Sequence, residues 1–109
     1  MESIGVAYTW GSARFGELGN GNEKNNEIVP FRLKINDNII QVSSGGGFSA
    51  LIGSSGKIYT FGCNAFHRTG HPITEDNILI PKQVDFLKPI IKISCGDWHL
   101  MVIDNEHLL

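Results

Sequence analysis

Residues 8–11, Tyr-Thr-Trp-Gly, recur 51 positions later as residues 59–62, Tyr-Thr-Phe-Gly. The same offset relates identical residues along the whole 109-residue chain without an insertion or a deletion. The identical pairs include Gly5 and Gly56, Gly19 and Gly70, Pro30 and Pro81, Ser43 and Ser94, and Gly45 and Gly96. Self-similarity at a period of about 20 to 50 residues is typical of repeat architectures. We therefore treat residues 1–109 as one repeat region with two units, 7–57 and 58–109.

Each unit has the pattern of short β-strands. Ser49–Ile52, a glycine turn over Gly53–Gly56 and a second run over Lys57–Phe61 predict a hairpin, because β-branched and aromatic residues are bounded by turn formers. In the second unit His99–Ile103, the turn Asp104–His107 and Leu108–Leu109 begin the same hairpin.

Two more strands are predicted in each unit. They lie at Ile39–Ser43, Ile90–Ser94, Phe31–Ile35 and Lys82–Phe86. Pro30 and Pro81 precede two of them and suit the first position of an outer strand, where a missing N–H is tolerated. No segment shows a sustained helical period with a capping residue, so no helix is predicted. The pattern predicts an all-β fold of two four-stranded propeller blades.

The spacing of glycines, aromatics and prolines resembles the regulator of chromosome condensation type of repeat. In the first unit the matching residues are Tyr8, Trp10, Gly11, Gly16, Leu18, Gly19, Gly21, Pro30, Gly45 and Gly56. In the second unit they are Tyr59, Phe61, Gly62, Gly70, Pro81, Cys95, Gly96 and His99. The resemblance implies a seven-bladed propeller with four strands per blade, of which this chain holds about two. Two departures stand out: residues 67–70 read His-Arg-Thr-Gly instead of Gly-x-Leu-Gly, and Phe48 replaces the usual His.

Composition and charge limit the classes of function. The formal net charge of −2 and the pI of about 6.0 do not favour binding to nucleic acid or to an acidic membrane surface. The apolar stretches are too short to span a bilayer, and residues 1–4 do not resemble a secretory signal. We therefore expect a cytoplasmic or nuclear location, in which Cys63 and Cys95 remain free thiols.

The glycine-rich stretch Gly16–Gly21 raises the question of a phosphate site. Such a site needs a following helix, whereas residues 22–27 are polar and lead to Pro30. We expect Gly19 and Gly70 to supply positive φ angles at turns instead. Gly53–Lys57 resembles a P-loop only superficially and is predicted to be a hairpin turn. No cofactor is expected.

Metal and catalytic sites are weakly indicated. Cys63, His67 and His71 follow one another at intervals of four residues, and Cys95 and His99 repeat that interval. The chain therefore has enough potential ligands for a zinc site. That interval brings side chains together on helices, which are not predicted, so we expect no metal. No nucleophile motif is present, and no catalytic residue is assigned.

The aromatic residues are candidates for packing and for contact. Trp10 and Phe61 are expected to pack between neighbouring blades. Trp98 has no aromatic counterpart, because Gly47 occupies its position in the first unit; we consider it a partner contact, with core packing as the alternative. Asp97, His67 and His71 are the other candidate contacts, on the loops Gly96–His99 and His67–Asn77. The loop Asn22–Glu27 is a third candidate surface.

The preferred hypothesis is a non-catalytic module that binds or scaffolds proteins. The resemblance implies an alternative, a guanine nucleotide exchange factor for a small Ras-like GTPase. The exchange activity of the founding protein depends on a hairpin inserted in a blade, and the gapless register leaves no room for one. A third hypothesis is a fragment of a longer propeller without separate activity. Because two blades leave their outer faces bare, we also expect self-association or pairing with further blades.

Overall fold

The computed structural model describes residues 5–12, 14–22, 26–65, 68–71, 77–84 and 88–105. In this part of the chain lie eight strands: β1 (Tyr8–Gly11), β2 (Glu27–Arg32), β3 (Ile39–Ser44), β4 (Phe48–Gly53), β5 (Ile58–Cys63), β6 (Asn77–Val84), β7 (Ile90–Cys95) and β8 (Leu100–Asp104). All pairings are antiparallel. The predicted all-β fold is confirmed. Among these residues no helix has the length and apolar character needed to cross a membrane.

The strands form one complete blade between two half-blades. The central blade has the order β3-β4-β5-β6, the first half-blade is β1-β2, and the second half-blade is β7-β8. The eight strands amount to two blades, as predicted, but they are divided differently from the sequence units. The boundary between the units, at residues 57 and 58, falls in the β4–β5 hairpin of the central blade. A repeat in the sequence therefore differs in phase from a blade in the structure.

The hydrogen bonds repeat with the sequence. Ile39 N donates to Gly5 O, and Ile90 N donates to Gly56 O, both at 2.9 Å. The Thr9 hydroxyl donates to Leu18 O at 2.6 Å. Its counterpart Thr60 donates to Thr69 O at 2.7 Å. Because loop contacts as well as strands recur, the two units fold alike.

The core lies on both faces of the central blade. Side chains of a strand alternate between faces, so Leu51 and Ile52 on β4 point in opposite directions. The cluster towards the first half-blade contains Ala7, Leu33, Leu51, Phe61 and Ile78. The cluster towards the second half-blade contains Ile52, Ile58 and Ile90. Each half-blade is thereby held against the central blade by buried apolar side chains.

The predicted hairpin of the central blade is confirmed, and its turn is closed by a bond of 2.9 Å from Gly56 N to Gly53 O. The prediction that Phe31–Ile35 and Lys82–Phe86 begin after the prolines is wrong for the start of both strands, and residues 85 and 86 lie outside the described residues. Pro30 lies inside β2 and Pro81 lies inside β6, and both strands begin before the proline. The ladder shifts register beside each proline, between Thr9 and Gly11 and between Thr60 and Gly62. A bulge on an outer strand tolerates a residue that lacks an N–H, so the strands continue through the prolines.

The expectation for the two aromatics of the repeated motif was half right. Phe61 is fully buried between the central blade and the first half-blade, as predicted. Trp10 is 62% exposed, so the prediction of packing between blades is wrong for this residue. Phe61 is covered by Ala7 and Leu33, whereas the first half-blade has no sheet on its other side among the described residues. Burial at this position depends on a neighbouring blade and not on the motif.

Candidate protein-interaction surface

Three loops meet at one end of the sheets. We call this surface the loop rim, and it comprises residues 45–47, residues 65 and 68, and residues 96–98. The contact between the first and third loops is close: a Cβ on Gly46 would lie 2.7 Å from the carbonyl oxygen of Asp97. A Cβ on Gly45 would collide with the Gly96 carbonyl and with the Phe48 ring. Glycine is therefore required where the two loops touch.

Arg68 joins the three loops through its guanidinium group. Nη1 donates to Gly46 O at 2.7 Å and to Asp97 O at 3.2 Å. Nε donates to Ala65 O at 2.9 Å. The guanidinium carbon lies 5.3 Å from the centroid of the Trp98 ring, within the range of a cation–π interaction. One side chain thus connects the central blade, its own loop and the second half-blade.

Trp98 and Asp97 are both exposed on this rim. The Trp98 side chain is 61% exposed, although Arg68 lies against its ring. The alternative of core packing, which the sequence left open, therefore does not hold. A large aromatic ring that is held in place by a cation and faces solvent loses little conformational freedom on binding, as a hot-spot residue should.

The histidine candidate His71 is not part of the rim. His71 is only 6% exposed, and its Nε2 lies 2.9 Å from the Thr60 hydroxyl and 3.2 Å from Lys82 O. Because the Thr60 hydroxyl proton is donated to Thr69 O, Nε2 must be the donor to Thr60. A contact role for His71 is not retained, since the buried ring joins β5 to β6 from inside. His67 and most of the loop His67–Asn77 lie outside the described residues, as do residues 23–25 of the loop Asn22–Glu27.

Phe48 and His99 occupy equivalent places. A Cβ on Gly45 would collide with the Phe48 ring, and a Cβ on Gly96 would collide with the His99 ring. The loop bonds agree, since Gly45 N donates to Phe48 O and Gly96 N donates to His99 O, both at 2.8 Å. The replacement of His by Phe48 therefore keeps the packing of an aromatic ring over the glycine.

The glycine-rich stretch Gly16–Gly21 is a turn in which the N–H groups of Gly19 and Gly21 bond to carbonyl groups of the protein. Gly19 N donates to Gly16 O at 3.0 Å, and Gly21 N donates to Leu79 O at 2.9 Å. The φ angles of Gly19 and Gly70 are 67° and 80°, which confirms the predicted positive φ at both positions. The geometry is that of a structural turn packed on β6.

A second polar cluster lies at the other end of the central blade. The Asp37 carboxylate accepts hydrogen bonds from Ser55 Oγ at 2.6 Å and from Tyr59 Oη at 2.9 Å. Burial raises the pKa of Asp37, but the hydrogen bonds from Ser55, Tyr59 and the Asn38 backbone outweigh it and hold the pKa below its ordinary value of 3.8. Burial raises the pKa of Tyr59 to about 12, together with the hydrogen bond that Tyr59 donates to Asp37 and the negative charge of Asp37. This cluster ties the β2–β3 connection to the β4–β5 hairpin.

The thiols and the potential metal ligands are dispersed. Cys63 and Cys95 are both free, and burial raises the pKa of the Cys95 thiol. Within the described ranges no three His, Cys, Asp or Glu side chains come together in a way that could hold a metal ion.

Sequence reasoning missed the organising role of Arg68. The residue was noticed only as a departure from the motif, although the repeat offset places it opposite Glu17 of the first unit. Glu17 makes a local contact, accepting from Phe15 N at 2.7 Å. The replacement of an acidic residue by a basic one at equivalent positions was the available signal that the second loop is built differently.

The blades, the outer-strand prolines and the loop rim define the class of repeat β-propellers. The profile of the regulator of chromosome condensation (RCC1) repeat matches residues 5–52 and again residues 55–103. A second profile of the same repeat matches residues 39–68. The chain therefore belongs to the regulator of chromosome condensation repeat family.

Relatives of known name match nearly the whole chain. The regulator of chromosome condensation of Xenopus laevis is 29% identical over 103 residues, which cover 94% of this chain and 24% of that protein. The mouse E3 ubiquitin-protein ligase HERC2 is 35% identical over 101 residues, covering 88% of this chain and 2% of the ligase. This chain thus spans about a quarter of the first relative and a small part of the second.

Solved structures share the fold. Human WBSCR16 superposes with a TM-score of 0.86 at 19% identity, over 96% of this chain and 27% of that protein. Prp20p of Saccharomyces cerevisiae, described with its binding properties to Gsp1p and histones, gives 0.84 at 17% identity over 92% of this chain and 27% of its own. At this identity the likeness concerns the fold, which is that of part of a propeller.

Proposed function

We propose that this chain is a non-catalytic protein-interaction module that binds a protein partner through the loop rim. The observation that carries the proposal is the exposed Trp98 ring, positioned by Arg68 beside the exposed Asp97. Tryptophan and arginine are enriched among the residues that dominate protein interfaces. The exposed ring supplies apolar area, and Asp97 supplies an acceptor that favours a partner with a basic or amide group beside an apolar pocket.

The test is a comparison of bound proteins after affinity capture from a nuclear and a cytoplasmic extract. We expect Trp98→Ala to weaken capture of the specific partner about tenfold or more, since truncation of an interface anchor costs about 2 kcal/mol or more. Ile80→Ala is the matched control, because Ile80 is 60% exposed and lies on β6, outside the residues of the rim. An identical set of captured proteins for wild type and Trp98→Ala would contradict the proposal. Capture from the nuclear extract alone would select the nuclear location.

Regulation of a small Ras-like GTPase is a second candidate function. It is favoured by the 29% identity to the Xenopus laevis regulator of chromosome condensation and by the exchange activity that the family resemblance implies. The measurement is release of a fluorescent guanine nucleotide from Ran and other small GTPases, with the chain at a tenth or less of the GTPase concentration. Acceleration that is lost in Trp98→Ala would establish this function on the rim, whereas unchanged release would leave binding alone.

A further inference from the structure

The two half-blades have complementary open edges. In the described part of the chain β1 pairs only with β2, and β8 pairs only with β7. By the 51-residue offset, β1 is the counterpart of β5 and β8 is the counterpart of β4. In the central blade β4 and β5 pair directly. An unpaired strand edge is a template for pairing with another chain. We propose that β8 of one molecule pairs with β1 of a second molecule, so that two half-blades complete a four-stranded blade.

The central blade supplies the register of this pairing. Its β4–β5 partners are Ser49 with Phe61, Ala50 with Thr60, and Leu51 with Tyr59. Moved by one repeat, they become Leu100 with Trp10, Met101 with Thr9, and Val102 with Tyr8, each pair drawn from two molecules. Trp10, Tyr8 and Met101 are 62%, 52% and 67% exposed in the single chain. Their counterparts Phe61 and Ala50 are fully buried and Tyr59 is partly buried, so the proposed pairing places the three side chains where the central blade covers the equivalent residues.

The vacancy beside Gly11 supports the same register. Gly11 and its counterpart Gly62 both have a φ of 110°. A Cβ on Gly62 would lie 2.5 Å from Gly47 O and 2.6 Å from Phe48 Cα, whereas no described atom lies within 4 Å of a Cβ on Gly11. The counterparts of Gly47 and Phe48 are Trp98 and His99, immediately before β8. The space beside Gly11 is therefore where the proposed pairing places the backbone of His99 from a second molecule.

A groove exists for the incoming half-blade. A space of about 700 Å³ is lined by residues of β1, β3 and β4, including Tyr8, Trp10, Val42 and Leu51. One repeat further on, the corresponding space beside β5 and β7 is filled by β3 and β4 themselves. There the Ser43 hydroxyl accepts from Cys95 N at 3.1 Å. In the proposed assembly its counterpart Ser94 accepts from Ser44 N of the second molecule.

The contact joins different surfaces of identical molecules, so it either closes into a ring or continues as a filament. The described residues of each molecule contribute eight strands, or two blades. Propellers with about four to eight blades are known, so closure corresponds to rings of two to four molecules.

The first experiment measures mass by sedimentation equilibrium and native mass spectrometry over a wide range of protein concentration. We expect wild type to form species at multiples of 12.0 kDa. Trp10→Lys blocks one end and Met101→Lys blocks the other, so each variant alone should remain a monomer. A mixture of the two should form a one-to-one dimer, because each still carries the intact end that the other needs. Ile80→Lys, at an exposed position away from both open edges, should associate like wild type.

Disulfide trapping tests the register independently of the charged variants. With Cys63 and Cys95 replaced by Ala, Thr9→Cys combined with Met101→Cys should yield covalent dimers and larger species on mild oxidation. The control combines Thr9→Cys with Val6→Cys, so that both cysteines lie at the β1 end of the molecule. It should yield at least tenfold less covalent product. A wild-type chain that stays a monomer at every concentration and gives no trapped species would overturn the proposal. Equal trapping by both cysteine pairs would overturn the register.

Discussion

At the scale of the residue, the repeat allows the same amino acid to be compared in two environments. Thr9 and Thr60 make the same loop bond, to Leu18 O and Thr69 O respectively. Only Thr60 has a buried histidine partner, His71. The repeated loop bond explains why both positions are threonine. The burial of each threonine depends instead on the blade around it.

Gly11 and Gly62 provide a matched test of close packing. Alanine at either position carries the cost of a positive φ, about 1 to 3 kcal/mol. Gly62→Ala also forces a Cβ against the backbone of Gly47 and Phe48, whereas Gly11→Ala enters open space. We expect the free energy of unfolding to fall at least about 1 kcal/mol further for Gly62→Ala. Urea unfolding of dilute protein measures the difference, and equal losses would show that the loop can move aside.

Asp37 predicts a dependence of stability on pH. Its pKa is lower in the folded chain than its ordinary value of 3.8, so ionised Asp37 stabilises the fold above that pH. The contribution is lost as the pH falls from about 4 through the folded pKa. We expect Asp37→Asn to flatten the fall in melting temperature between about pH 5 and pH 3. Tyr59→Phe removes one donor and should flatten it less; an unchanged profile in Asp37→Asn would contradict the assignment.

At the scale of the element, the strands differ in how far neighbours protect them. In β4 and β5 most side chains are buried, whereas in β8 none of the five is. The hairpin of the central blade and its strand pattern could be predicted from local sequence, because turn chemistry acts over a few residues. The continuation of β2 and β6 through their prolines could not be predicted in this way, because it depends on register shifts in the β1–β2 and β5–β6 pairings.

Hydrogen exchange should report this order. In dilute protein we expect amides of β4 and β5 to exchange most slowly and those on the open edges of β1 and β8 most rapidly, since exchange follows local opening. Raising the protein concentration should slow exchange in β1 and β8 of wild type. In the Trp10→Lys variant, exchange in β1 should not change with concentration. Uniform protection of all strands in dilute protein would contradict the division into a complete blade and two half-blades.

At the scale of the whole molecule, the division of eight strands into two, four and two controls which surfaces face solvent. The central blade is covered on both faces by half-blades. The half-blades expose Trp10 on one side and Met101 on the other. Residues 96–98 of the loop rim lead directly into β8, whereas Trp10 on β1 is not part of the rim, so Trp10→Lys tests the pairing without altering a residue of the rim.

The sequence by itself determined the repeat, the hairpin of the central blade, the glycine turns and the family, because each depends on residues close together or on a constant spacing. Only the tertiary structure decided that Phe61 is buried while Trp10 is exposed, that His71 lies inside, and that Arg68 joins three loops. These outcomes depend on which strands lie beside a residue in space. Similar repeats acquire different surroundings when one blade is complete and its neighbours are halves.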